Sequence, residues 1–240
     1  MDAPPILRDR LSDTTGGLVY HLRALCHRRG LWAPFHATVA SWLGDWQPDR
    51  RHLVLVGPSA GYSLPAGWLA RFERVTALEP DPVARWLLQR RPDAGHVHFG
   101  TLDCLGTPDG LAHLAHAFPD AAILFCNILG QLEAPGGETW SQHLAKHLAS
   151  RPWASHHDAI STTKAPIRNV ATPALKEPAM ARVLEHFWAG GELPLVDHDT
   201  FRLGGDVAHR YALWQITRER WHLVEWTTHA APEAINATSA

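Results

Sequence analysis

Apolar side chains recur along this chain in two rhythms. Over residues 17–29, Leu18, Leu22, Leu25 and Cys26 fall at helical spacing and the run stops at Gly30; over residues 34–43, Phe35, Val39, Trp42 and Leu43 repeat the pattern. Two amphipathic helices are expected there. Short β-like runs then alternate with helical ones: strands at 52–56, 75–79, 96–99, 121–126 and 159–162, helices at 64–72, 82–90, 108–117 and 138–148, the last with His143 and His147 one turn apart. Such alternation predicts βαβ units and a parallel sheet. A proline-rich stretch from Ala165 leads to a helix whose Met180, Val183, Leu184, Phe187 and Trp188 form one apolar face closed by Gly190 and Gly191, a lid or a buttress. Two β-rich runs, 210–217 and 221–228, joined by Arg218, Glu219 and Arg220, read as an antiparallel hairpin.

The expected organisation is an N-terminal helical cap (1–50) and a doubly wound α/β domain (51–231) with a mostly parallel sheet and a C-terminal antiparallel hairpin. Residues 165–194 form an insertion or lid helix, and 232–240 a disordered tail. With 240 residues, 45% of them apolar, the chain can bury one substantial core. A formal charge of −2, with no run of five or so basic residues, argues against nucleic acid and membrane surfaces as partners. The opening MDAPPILRDRLSDTT mixes charge and proline where a secretory signal has an apolar run, so a cytoplasmic location is expected. Cys26, Cys104 and Cys126 are scattered and odd in number, which predicts reduced thiols. Seventeen histidines make solubility near neutrality sensitive to pH, because their protonation carries the net charge through zero.

Candidate chemistry begins at LVLVGPSAGY, residues 53–62, where an apolar strand meets a glycine-bearing turn ahead of a predicted helix. Gly57 and Gly61 let a ligand approach the main chain, and a helix N-terminus favours a carboxylate or phosphate; packing alone also places glycines in such turns. Glu79 ends the next strand on the same sheet edge, where a carboxylate can accept from both hydroxyls of a ribose. Asp81, before Pro82, suits a helix cap better and leaves Glu79 for a ligand. Asp103 follows the third strand, within reach of an adenine amine, although Asp after a strand is often a turn former. Asn127 leaves the fourth strand, with Gln131 one turn later.

This order of parts resembles the class I S-adenosylmethionine-dependent methyltransferase family over residues 51–163. The resemblance implies a Rossmann-like fold and S-adenosylmethionine as cofactor. It assigns the amino-acid end of the cofactor to the loop of Gly57, Pro58, Ser59, Gly61 and Tyr62, the ribose to Glu79, the adenine to Asp103 and Cys104, and the neighbourhood of the methyl group to Asn127. Two positions depart from the pattern: Leu55 stands where the family has an acid, and Ser59 where it has its middle glycine. A nicotinamide site needs G-x-G-x-x-G, which Gly57-Pro58-Ser59-Ala60-Gly61 fails, and Pro58 removes an N–H that a phosphate cradle would use. No Walker loop is present.

The expected activity is methyl transfer to a small-molecule acceptor. The alternative is a degenerate member that keeps the fold as a binding or assembly module, with an NAD-dependent oxidoreductase further behind. Tyr20, His21, Trp32, His36 and Gln131 are candidate acceptor-binding residues, with ordinary core as the competing role for the aromatic ones. If the acceptor needs a base, His156 or His157 is the candidate. His156-His157-Asp158 and Asp197-His198-Asp199 are rich in metal-ligand types, but neighbours on a strand face opposite ways, so no metal site is expected.

Overall fold

Five apolar runs build the centre of the molecule. In a computed structural model, which describes residues 3–10 and 17–231, they become parallel strands β1 His52–Val56, β2 Arg74–Leu78, β3 Val97–Phe99, β4 Ala121–Cys126 and β5 Trp153–Thr162. The tail expected at 232–240 lies outside the described residues. Strands β6 Leu175–Lys176, β7 Leu195–Asp197, β8 Ala208–Thr217 and β9 Arg220–His229 follow, and every pairing they make is antiparallel. The sheet order is β3-β2-β1-β4-β5-β9-β8-β6, with β7 paired to the end of β5 beyond β4. The order reverses between β1 and β4, and at such a switch point the loops leaving the strand C-termini diverge and leave a crevice.

Alternate residues of the strands serve two cores. Leu53, Leu55, Val75, Ala77, Ala122 and Leu124 pack beneath helices α1 Gly17–His27, α2 Ala33–Asp45 and α3 Pro82–Gln89. Val54, Val56, Ile123 and Phe125 face α4 Gly110–Ala117 and α5 Trp140–Leu148. Both faces are therefore covered, which is why these strands read as continuous apolar runs. A third cluster seats Val183 and Phe187 of α6 Met180–Phe187 on Ile160, Tyr211 and Leu223, so α6 is a buttress on the extended strands. Among the described residues, no helix is long and apolar enough to cross a membrane.

Three local expectations are corrected. The helix expected at 64–72 is only a 3-10 turn, Trp68–Arg71, because Pro65 and Gly67, which sits at φ +76°, interrupt it. The connecting loop is shaped by Arg91, whose guanidinium donates to the carbonyls of Gly61 (2.9 Å), Leu64 (3.2 Å) and Pro65 (3.0 Å) and makes two bonds to Asp93. Strand β5 begins at Trp153, well before residue 159, since Ser155, His156, His157 and Asp158 hide a fully buried central strand behind polar side chains.

The apolar stripe of α1 faces outward. Leu18, Leu22 and Leu25 are more than half exposed, while Gly17, His21 and Ala24 face the protein. His21 is drawn inward by Asp81 Oδ2 (3.0 Å) and the Tyr62 hydroxyl (2.9 Å), and the small Gly17 and Ala24 let the helix come close.

Candidate functional site

The crevice at the switch point is a cavity of about 420 Å3. Its wall combines Gly57 and Ser59 after β1, Glu79 and Asp81 after β2, Asp103 and Cys104 after β3, and Asn127 and Gln131 after β4, with Tyr20 from α1. Residues Ile6, Leu7, Arg8 and Arg10 close the adjoining side. This N-terminal strap is tied down by main-chain bonds: Leu7 N–H to Thr101 O (2.7 Å), Asp103 N–H to Pro5 O (2.9 Å) and Arg10 N–H to Pro80 O (3.1 Å). Sequence reasoning missed the strap, whose signal was only the apolar pair Ile6-Leu7 in a polar start.

Backbone geometry sets the loop after β1. Gly57 lies at φ +63°, and a Cβ there would sit 3.0 Å from Ile128 Cβ, so conformation and space both demand glycine. Ser59 also takes a left-handed φ of +51°, at a cost of order 1 kcal/mol for a residue with a side chain. Its N–H donates to Glu79 Oε2 at 2.7 Å, and the Asp81 N–H donates to Oε1 at 2.9 Å. The Glu79 carboxylate thus ties two loops together, and each oxygen keeps a second lone pair. Glu79 is 6% exposed, and burial pushes its pKa up to about 7 despite the two backbone bonds.

Asp103 is a turn former that also lines the cavity. Oδ1 caps the turn by accepting from Leu105 N–H (3.2 Å) and Gly106 N–H (2.9 Å), and no bond to Oδ2 is made among the described residues. Cys104 and Cys126 add buried thiols to the wall, each pushed up by burial and so uncharged. Asn127 stands at φ +52°, its N–H fixed to His156 O (2.7 Å) and its amide donating to Asp158 Oδ2 (3.3 Å), while its buried Oδ1 has no partner among the described residues. Burial pushes Asp158 up, but the His222 and His198 imidazoles and the Asn127 amide more than offset that and hold its carboxyl below the usual range.

Over 97% of its length the chain aligns with 99% of an S-adenosylmethionine-dependent methyltransferase from Anabaena variabilis, at a TM-score of 0.51 and 14% identity. The chain has the class I S-adenosylmethionine-dependent methyltransferase fold. The N-methyltransferase NodS from Bradyrhizobium japonicum aligns over 82% of this chain and 96% of its own, with a TM-score of 0.44 and 13% identity. No family model and no curated protein matches the chain.

On this methyltransferase fold, the expected site residues divide into a wall and a supporting layer. Gly57, Ser59, Glu79, Asp103, Cys104, Asn127, Tyr20 and Gln131 line the cavity. Pro58, Gly61, Tyr62, His21, Trp32 and His36 do not. Pro58 is buried, and Gly61 packs against Leu88 and Arg91. Tyr62 and His21 bond to each other and, through His21, to Asp81. Trp32 lies in the core, donates to Ile216 O (3.1 Å) and stacks on Tyr20 at 5.4 Å, holding that ring at the wall. His36 packs on Trp214, and burial lowers its pKa to about 4.

The two histidines expected as bases are also off the wall. His156 is 1% exposed; burial, with repulsion from His157, lowers its pKa to about 3, and Nε2 lies 3.5 Å from Ser63 Oγ. His157, the next residue on β5, faces the opposite side of the sheet and is held by Ser155 Oγ (3.0 Å) and Thr200 O (3.1 Å). It cannot reach the cavity. No segment of the 165–194 insertion lines the cavity either, because α6 is spent on the buttress. The two ligand-rich triplets do converge in part, since β7 brings His198 beside Asp158; yet among the described residues no group of three or more His, Cys, Asp or Glu is placed to hold a metal ion.

A second polar centre, unforeseen in the sequence, lies on the far face. Glu225, fully buried, accepts from Arg202 N–H (2.8 Å), Leu203 N–H (2.9 Å), His209 Nδ1 (2.9 Å) and the Tyr211 hydroxyl (2.8 Å). It fixes the loop before β8 and does not line the cavity at the switch point.

Proposed function

We propose that this chain transfers the methyl group of S-adenosylmethionine to a small-molecule acceptor. The observation that carries the reading is Glu79: a buried carboxylate at the end of β2, pinned by backbone N–H groups on both sides and facing a cavity sized for a nucleoside-type ligand. Its free lone pairs suit the two hydroxyl donors of a ribose. Asp103 Oδ2 suits the adenine amine, with Leu78, Leu102 and Leu105 as apolar walls, and the loop of Gly57 and Ser59 suits the amino-acid end. Bound there, the cofactor supplies an electrophilic methyl group on a sulfonium. What the chain must add is position and exclusion of water, since an in-line displacement needs no covalent nucleophile. The strap and Tyr20 exclude water; Asn127 and Gln131 border the space an acceptor would enter.

The module reading is favoured by Leu55, which is wholly buried in the core where the family has a cofactor-facing acid. A melting experiment separates the two readings. S-adenosylmethionine and S-adenosylhomocysteine at about 100 times their Kd are expected to raise the Tm by about 5 °C or more. NAD should do much less. No shift from either methyl-cycle ligand would leave the module reading in possession, and a larger shift from NAD would replace the cofactor.

A further inference from the structure

The apolar stripe of a surface helix normally faces the protein, and a contiguous apolar patch left in water marks a surface that something covers. In α1 the stripe faces water. Leu18 is 63% exposed, Val19 57%, Leu22 53% and Leu25 66%, and Cys26 beside them is exposed as well. All five lie within about two and a half turns of one helix. The orientation is locked: His21, facing the protein, is held by Asp81 Oδ2 and the Tyr62 hydroxyl, so α1 cannot roll its leucines inward without breaking both bonds.

Charge on this side of the molecule has one sign. Residues 17–44 contain no Asp or Glu, and Arg23, Arg28 and Arg29 are exposed along α1 and just beyond its end. The strap adds exposed Arg8 and Arg10, and it meets the start of α1 at the cavity wall, where Ile6, Arg8, Arg10 and Gly17 stand together. The arginine ion pairs among the described residues involve none of these five guanidiniums. The strap's carboxylate, Asp9, is already paired with Arg85 (2.8 Å). The formal charge of −2, which argues against a membrane partner, is an average over the chain that hides this asymmetry.

Apolar stripe and arginines together select the occupant. A second copy would bring two arginine-rich faces together. The phosphates of nucleic acid would meet the arginines but leave the leucines in water. A partner's helix or peptide is gripped by a groove, whereas side chains more than half exposed stand out from the surface. An anionic bilayer satisfies both features: aliphatic side chains enter the boundary between headgroups and acyl chains, and the arginines beside them reach the lipid phosphates. We propose that α1 and its flanking arginines dock this protein on the surface of a membrane rich in anionic lipid, lying in the interface without crossing it. This docking does not depend on the methyl-transfer reading.

The test uses the full chain with vesicles of phosphatidylcholine, alone or mixed with an equal part of phosphatidylglycerol. Cys104 and Cys126 are buried and Cys26 is exposed, so a polarity-sensitive thiol dye can be placed on the outward face of α1. In sedimentation the unlabelled protein is expected to bind the mixed vesicles about tenfold or more better than phosphatidylcholine alone, and raised salt to weaken that binding. The dye emission should shift to the blue on the mixed vesicles only. Leu18→Ser, Leu22→Ser and Leu25→Ser combined, and Arg23→Glu, Arg28→Glu and Arg29→Glu combined, should each weaken binding about tenfold or more at an unchanged melting temperature. No binding to the mixed vesicles, equal binding to both kinds, or binding that leaves the dye unshifted overturns the proposal, the last by placing the contact elsewhere. A concentration-dependent dimer that the leucine variant abolishes, with vesicles left unbound, would give the face to a second copy. Should either variant not fold, the lipid comparison and the dye on the wild-type chain decide alone.

Discussion

Glu225→Ala is expected to cost the fold about 3–5 kcal/mol in a denaturant titration, the range for removing one member of a buried charged cluster. The carboxylate meets two main-chain N–H groups, an imidazole and a phenol at 2.8–2.9 Å, with His157 Nε2 at 3.5 Å, and all of these would be left in a dry interior. The same cluster predicts a pH signature. Burial pushes Glu225 up, but the hydrogen bonds and charge from His157 and His209 outweigh it and hold the carboxyl at about 2, against 4.5 ordinarily. Its stabilisation is therefore complete above pH 4.5 and is lost as pH falls toward 2. His209 runs the other way: burial lowers it, the bond to Glu225 raises it more, and its contribution is present below 6.5 and fades as pH rises through the raised value. Wild type should show an acid limb that Glu225→Ala lacks. A loss under about 1 kcal/mol would mean that the cluster is incidental to stability.

Glu79→Ala is expected to weaken S-adenosylhomocysteine binding about a hundredfold or more, because two charge-assisted hydrogen bonds of about 1.5–3 kcal/mol each disappear. Binding to the wild type should also release a proton. Burial raises Glu79 to about 7 in the free protein, and ribose donors favour its ionised form, so affinity should climb with pH up to about 7 and then level off. Glu79→Gln removes that slope. Asp81→Ala is the control: its Oδ1 caps α3 by accepting from Val83 and Ala84 N–H and its Oδ2 holds His21, so it should cost about 1 kcal/mol of stability and little affinity. A control mutant as weak in binding as Glu79→Ala would move the ribose elsewhere.

Where apolar pattern and burial coincide, the sequence is a direct guide. Leu53 to Val56 and Ala122 to Phe125 are buried on both faces and read as strands without ambiguity. The wall residues Gly57, Glu79, Asp103 and Asn127 were legible because each follows the C-terminal end of a strand, and the segments leaving those ends on one sheet edge line the crevice. Three failures share a cause, namely hydrogen bonds between residues distant in sequence. His21 turns α1 over through Asp81, sixty positions away. The polar run of β5 is buried where Glu225 and Thr200 partner His157 and Asn127 partners Asp158. The strap at Ile6 and Leu7 is defined by the main chain of residues 101–103, which no local pattern announces.

The Arg91 clamp bears on how this chain tolerates change. In the expected βαβ unit the loop after β1 would be held by a helix, and its shape would be spread over many main-chain bonds, each dispensable. Here all five guanidinium N–H groups are committed, three of them to consecutive bends of one loop, and Asp93 locks the fork in place while also accepting from Gly67 N–H (2.9 Å). The form of the loop after β1 is thus stored in a side chain that does not line the cavity beside it. Lysine, with three donors on a single nitrogen and no plane, cannot replace it. Robustness at positions 58–66 is therefore borrowed from position 91, and a single remote substitution can erase what no change within the loop would restore.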